Sequence, residues 1–180
     1  MPITSEIVLK SKRKLKKVLA DKEVYDVLLF GSAIKGKAQP RDIDVCLITH
    51  KKIEAEVKNL SGVHISIMKP EEFFTEQSSL ANTLLREGYS LKKGMFLAEE
   101  LRFKNKVLFT YRLNNKKNNE KVKIVTILRG KGSNNGLVQD QGGEWIAQQV
   151  FQMPIDTEQL IDQFLRHNKI NYTKNYVLIH

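Results

Sequence analysis

Cysteine is almost missing from this chain of 180 residues: there is one, Cys46. A single cysteine excludes an internal disulfide framework and fits a reducing cytosol. Long apolar runs are missing too. Nothing approaches the ~18 to 20 consecutive apolar residues of a membrane span. The N-terminal MPITSEIVLKSKRK also lacks the apolar stretch of a signal peptide. The expectation is a cytoplasmic protein without membrane contact. Acids are scarce, 20 Asp and Glu against 30 Lys and Arg, for a net charge of +10. That excess suggests a polyanionic partner, nucleic acid being the usual one, although solubility alone is the plainer explanation. What remains is ordinary for a globular protein. Apolar residues make up 41%, and the length suits one domain or two small ones.

The apolar pattern predicts α/β texture over residues 1–95. Residues 5–20 read as a helix, with Ile7, Val8, Ser11, Leu15, Val18 and Leu19 on one face and lysines crowding the rest. Strands are expected at 24–30, 42–49 and 62–68. A helix is expected between the last two, at 51–58. Pro70 suits the start of a helix, with Glu71 and Glu72 following, and 78–87 is another helix closed by Gly88.

Residues 96–180 read as a smaller, basic α+β region of unknown role. Between Arg102 and Lys131 there are ten Lys or Arg and one acid, Glu120. Residues 120–128 fit helix or strand. Glycine-rich turns at 130–136 and 142–143 bracket a hairpin carrying Trp145. Asp156 and Gln159 resemble a capping box. They would open a helix with Leu160, Ile161, Phe164 and Leu165 inward. A last strand is expected at 172–179.

The chemistry concentrates in LLFGSAIKGKAQPRDIDVCLI, residues 28–48. Its first half nearly spells a Walker A phosphate loop. That loop needs a hydroxyl directly after its lysine, and here Ala38 follows Lys37; Pro40 and a strand then leave no room for the helix that should follow. Its second half carries the stronger signal. Alternation along a strand puts Asp42, Asp44 and Cys46 on one face and Ile43, Val45 and Leu47 on the other. Two neighbouring carboxylates repel, and a divalent cation best explains keeping them. Magnesium takes one or two carboxylates and completes its shell with water and phosphate oxygens. Upstream, Gly31 lets the backbone approach a phosphate, Ser32 offers a hydroxyl, and Lys35 and Lys37 add charge.

Apolar–Gly31–Ser32, nine residues, then Asp42–Ile43–Asp44–Val45 resembles the signature of the DNA polymerase β-type nucleotidyltransferase superfamily, and most nearly its minimal nucleotidyltransferases. Lys35-Gly36, Ala38 and Pro40 occupy places where that family commonly has Arg-Gly, Ala and Pro, with one residue fewer before the aspartates. The resemblance covers 24–48 strongly. It implies a mixed sheet flanked by helices. It also implies transfer of a nucleoside monophosphate from an NTP, expected to be ATP, to an acceptor hydroxyl on RNA or protein. Asp42 and Asp44 would hold Mg2+, with Mn2+ as the alternative, and Gly31 and Ser32 the β- and γ-phosphates. The minimal family also implies a possible protein partner, as in toxin–antitoxin pairs.

One departure matters. The family carries a third carboxylate on a later strand, and here the matching position is His64. Loss of a general base typically costs roughly 10²- to 10⁴-fold. Three outcomes stay open: a slow enzyme, an enzyme using His64 as base, or a catalytically inactive protein that binds nucleotide or nucleic acid. Ser66 would be a weak ligand at most. Trp145, Tyr111, Tyr172 and Tyr176 either stack bases beside the basic stretch or fill a core.

Overall fold

Helix α1 (Ser5–Lys14) and the short α2 (Lys16–Ala20) form where the sequence pattern predicts one continuous helix. The buried Ser11 hydroxyl donates to the Ile7 carbonyl one turn back. Such back-bonding bends helices, and the interruption falls just after it, at Leu15. The structure, a computed structural model, describes residues 5–35, 42–53, 60–75 and 78–180.

The first sheet contains β1 (Val24–Phe30), β2 (Ile43–Thr49), β3 (Val63–Met68) and the short β4 (Tyr89–Ser90), in the order β3-β2-β1-β4. β1 runs antiparallel to β2 and β4, whereas β2 and β3 are parallel, so the sheet is mixed. Both faces are covered, which explains why these strands read as nearly unbroken apolar runs. Val27, Leu29, Ile43, Val45 and Leu47 enter one large cluster with the α1–α2 residues Ile7, Leu15 and Val18. Leu28, Cys46, Ile48 and Met68 enter another with Ala81 and Leu84. Those last two belong to α4 (Ser79–Glu87), which follows the single-turn α3 (Glu72–Thr75). The Ser78 hydroxyl caps α4 by accepting from the Ala81 amide at 3.0 Å. Of the helix expected at 51–58, residues 51–53 are not helical and 54–59 lie outside the described residues.

After α5 (Leu97–Glu100) comes a second, antiparallel sheet of order β10-β5-β9-β8. It is made by β5 (Lys104–Arg112), β8 (Glu144–Ala147), β9 (Val150–Pro154) and β10 (Asn171–Ile179). Val107, Phe109, Tyr111, Phe151 and Met153 are buried on one face of it. Two helices contribute to the same cluster: α6 (Asn118–Arg129) with Ile124 and Leu128, and α8 (Glu158–His167) with Ile161 and Leu165. Between α6 and β8 lie a two-residue ladder, β6 (Gly130–Lys131) with β7 (Asn134–Asn135), and the single-turn α7 (Leu137–Asp140). The segment 120–128, ambiguous in sequence, is helix. The glycine-rich stretch at 130–136 makes the β6–β7 hairpin, and Trp145 sits on a separate hairpin, β8–β9, which turns at Gln148–Gln149.

Two details at 155–167 differ from expectation. A 3₁₀ turn over Ile155–Thr157 precedes α8, and its N-cap is Thr157, whose side chain makes no capping bond. Leu160 is 43% exposed rather than inward, because the buried stripe runs through Ile161 and Leu165 with Phe164 half-buried. The molecule is therefore α+β, with a mixed four-stranded sheet and a separate antiparallel sheet sharing one cluster of buried side chains. No helix among the described residues is long and apolar enough to cross a membrane.

Candidate active site

β1 ends at Phe30, and Gly31–Ala33 turn at once into a 3₁₀ helix. Gly31 has φ +75°, in the left-handed region that favours glycine. A Cβ there would also meet Oδ2 of Asp44 at 2.7 Å. This closeness follows from register, since Phe30 pairs with Asp44 across the antiparallel ladder. The two halves of the sequence signature, eleven residues apart at Gly31 and Asp42, thus meet as a glycine turn pressed against a carboxylate.

Asp44 is also the neighbour of His64 in the parallel β2–β3 ladder. The imidazole Nδ1 lies 3.4 Å from Asp44 Oδ1. Asp44 is 32% exposed and His64 73%. The strand position where the sequence pattern lacks an acid is therefore directly beside Asp44, and it holds an accessible imidazole rather than a packed one. Asp42 is exposed just before β2 begins. Ser32 is half-buried in the turn. Lys37 lies outside the described residues. Cys46, on the aspartate face, is fully buried beside Leu28 and Leu84. Burial pushes its thiol up to about 12, with the Glu72 charge adding to the shift.

Lys35, expected beside the phosphates, is surrounded by carboxylates and a phenol. Its side chain is 19% exposed, and its Nζ lies 2.9 Å from Oε2 of Glu87. The same ammonium donates to the Tyr176 hydroxyl at 3.0 Å and lies 3.9 Å from Glu158 Oε2. Burial disfavours its charge, yet the Tyr176 hydroxyl and the Glu87 and Glu158 carboxylates outweigh this and hold its pKa above the usual lysine value. Tyr176 passes its own proton toward Glu158 Oε1 at 2.8 Å, and Lys174 approaches the same oxygen at 2.6 Å. Arg86 stacks on the Tyr176 ring at 4.0 Å. Lys35 thus neutralises buried acids.

Glu87 and Glu158 were not recognisable as site neighbours in the sequence. Glu87 donates nothing but accepts the Gly31 amide on Oε1 at 3.3 Å. The backbone holds the turn from the other end, where the Gln159 amide donates to the Lys35 carbonyl at 3.1 Å. One signal was available. Glu87 sits in the last turn of α4, where a negative charge opposes the helix dipole, and such a residue needs a nearby compensating cation.

Comparison with protein-family models, with curated proteins and with solved structures gave no match. The chemistry of the site therefore rests on its own residues. Among the described residues no three His, Cys, Asp or Glu side chains converge into a closed metal cage. Two exposed or half-exposed aspartates one residue apart are instead the donor set that magnesium accepts when substrate phosphates supply its other oxygens. On donor chemistry the residues fit that ion.

Proposed function

We propose that this protein is a magnesium-dependent nucleotidyltransferase of the polymerase β type, moving a nucleoside monophosphate from an NTP to a hydroxyl of an RNA or protein acceptor. The observation that carries this reading is the contact between the left-handed Gly31 turn and the Asp44 carboxylate. It packs the turn that carries the Ser32 hydroxyl directly against a carboxylate suited to a cation.

Asp42 and Asp44 would hold the cation, which when bound supplies charge stabilisation at the triphosphate. Ser32 offers its hydroxyl to the terminal phosphates. Gly31 contributes room for the Asp44 carboxylate rather than a hydrogen bond to phosphate, since its amide is engaged with Glu87. Asp44 orients His64 through Nδ1, which directs Nε2 of the ring away from that carboxylate. In the transfer, the acceptor oxygen bonds to the α-phosphorus and the bond to the bridging oxygen breaks. Pyrophosphate leaves, and the acceptor's proton passes to His64.

A second reading has its own observation. The Gly31 amide and the Lys35 ammonium are both occupied by carboxylate or phenol, and His64 stands in place of an acid. These features suit a protein that binds nucleotide without transferring it. The test is incubation with α-labelled NTPs, magnesium or manganese, RNA and protein extract. Label reaching a macromolecule with the natural protein, and not with Asp42→Asn/Asp44→Asn, is the expected result. Label transferred equally by both would sink the assignment. Nucleotide binding with no transfer would establish the second reading.

A further inference from the structure

A cleft of about 590 Å³ opens between α6 and the β8–β9 hairpin, in the second sheet and away from Asp44 in sequence. Its lining includes Tyr111, Val125, Arg129, Trp145, Gln148 and Gln149. The Arg129 guanidinium lies over the Trp145 ring, 3.8 Å from its centroid. It is fixed there by donating from Nη2 to the carbonyls of Ala147 at 3.0 Å and Gln148 at 2.8 Å. Trp145 is backed by Phe151 at 5.0 Å between centroids and by Tyr111 at 6.4 Å. The indole N–H finds no acceptor among the described residues, so the ring is held by stacking and apolar packing.

We infer that this cleft receives an unpaired base of a single-stranded RNA. An arginine plane laid on an indole is a platform for a further flat, electron-rich ring. Arg129 is half-buried rather than enclosed, which leaves it reachable by such a ring. Lys121, Val125 and Arg129 fall on one stripe of α6, so a cation lines the approach one turn beyond the apolar wall. Lys121, Lys123 and Arg129 on this helix, with Lys116 and Lys117 at its start, bring positive charge to the same element, as a phosphate backbone requires. Gln148 and Gln149 bring amides that both donate and accept, as a ribose 2′-hydroxyl and base edges demand. An acidic peptide would satisfy the charge and leave the stacked platform without purpose. The inference narrows the acceptor class left open above and so rests on that reading, but its test requires no transfer.

Trp145 is the sole tryptophan of the chain, so its emission reports on this cleft alone. The protein is titrated with a fluorescein-labelled ten-nucleotide RNA, without NTP or metal, following anisotropy and tryptophan emission together. The expected result is rising anisotropy with quenched emission, both weakening steeply from low to physiological salt. Arg129→Lys, which keeps the charge and loses the plane, should weaken binding by about tenfold. Lys121→Gln is the second variant. It should weaken binding a few-fold and flatten the salt dependence even if the arginine change disturbs the hairpin. The transfer-dead Asp42→Asn/Asp44→Asn protein should still bind RNA, which separates failure of this inference from failure of the catalytic assignment. No anisotropy change, or a rise with unchanged emission, would overturn the inference. So would equal affinity for DNA of the same sequence, or equal quenching by polyglutamate.

Discussion

Asp44 and Glu87 both reach Gly31, and their surroundings could hardly differ more. Asp44 lies against the Cα of the glycine at the end of a strand, one-third exposed, with an accessible imidazole beside it. Glu87 takes the glycine amide from a helix end, with its side chain 3% exposed and Lys35 and Arg86 against it. Glu158, Asp162, Lys174, Tyr172 and Tyr176 extend that second setting into a buried network. The contrast separates two uses of a carboxylate. A charge cancelled inside the protein fixes geometry. A charge left open at an edge is available to a cation from solution.

The largest expected effects fall on opposite sides of this contrast. Asp44→Asn should lower transfer by roughly 10²- to 10³-fold while changing stability by less than about 1 kcal/mol. Lys35→Met should do the reverse. It leaves Glu87 with Arg86 and Glu158 with Lys174 but removes the cation they share, at a cost of about 1–3 kcal/mol in urea unfolding. If Lys35→Met left stability unchanged and abolished nucleotide binding instead, the lysine would belong with the open group.

Gly31→Ala comes next, because it touches both settings. A left-handed alanine costs about 1–2 kcal/mol, and its methyl would displace the Asp44 carboxylate. Stability and transfer should therefore fall together, whereas Asp44→Asn and Lys35→Met separate them.

The last prediction concerns alkaline pH. Lys35 holds its proton more tightly in the folded state than the usual lysine value of 10.5, so its contribution is complete below that value and is lost as pH rises through the folded one. Cys46, raised from 9.0 to about 12, likewise stabilises the fold below pH 9 and loses that contribution as pH climbs toward 12. The melting temperature should be level up to about pH 9 and decline beyond it. At pH 8 the Cys46 thiol should resist iodoacetamide until urea unfolds the chain. Rapid alkylation of the folded protein would show that the cluster around Leu28 and Leu84 is looser than described.

Much of the first sheet was legible because its information is local. Apolar runs set β1, β2 and β3 within a residue, and Ser78 and Gly88 marked both ends of α4. Strand alternation alone put Asp44 and Cys46 on the face opposite Val45. The Lys35 network was illegible for the opposite reason. Lys35 and Tyr176 are 141 positions apart, and nothing local distinguishes Lys35, Glu158 or Lys174 from surface charges. Residues 120–128 hid their helix behind Val122, Ile124, Val125 and Ile127, whose β-branching argues for strand. Burial of Ile124 and Leu128 at helical spacing overrode that propensity. The segment 155–158 misled because Thr157, rather than Asp156, took the N-cap position, and did so without a side-chain capping bond.

The bond from the Gln159 amide to the Lys35 carbonyl also has a meaning in time. A ribosome adds about 5–20 residues per second, and N-terminal regions begin to fold before later ones exist. Phe30, Gly31 and Asp44 can meet early, while Glu158, Gln159 and Tyr176 are not yet made. For several seconds the nascent turn stands without its brace, and Lys35 has Glu87 but neither Tyr176 nor Glu158. A ribosome-bound chain stalled before residue 158 should therefore hold the aspartates in an unfinished frame, so that competence arrives late in synthesis.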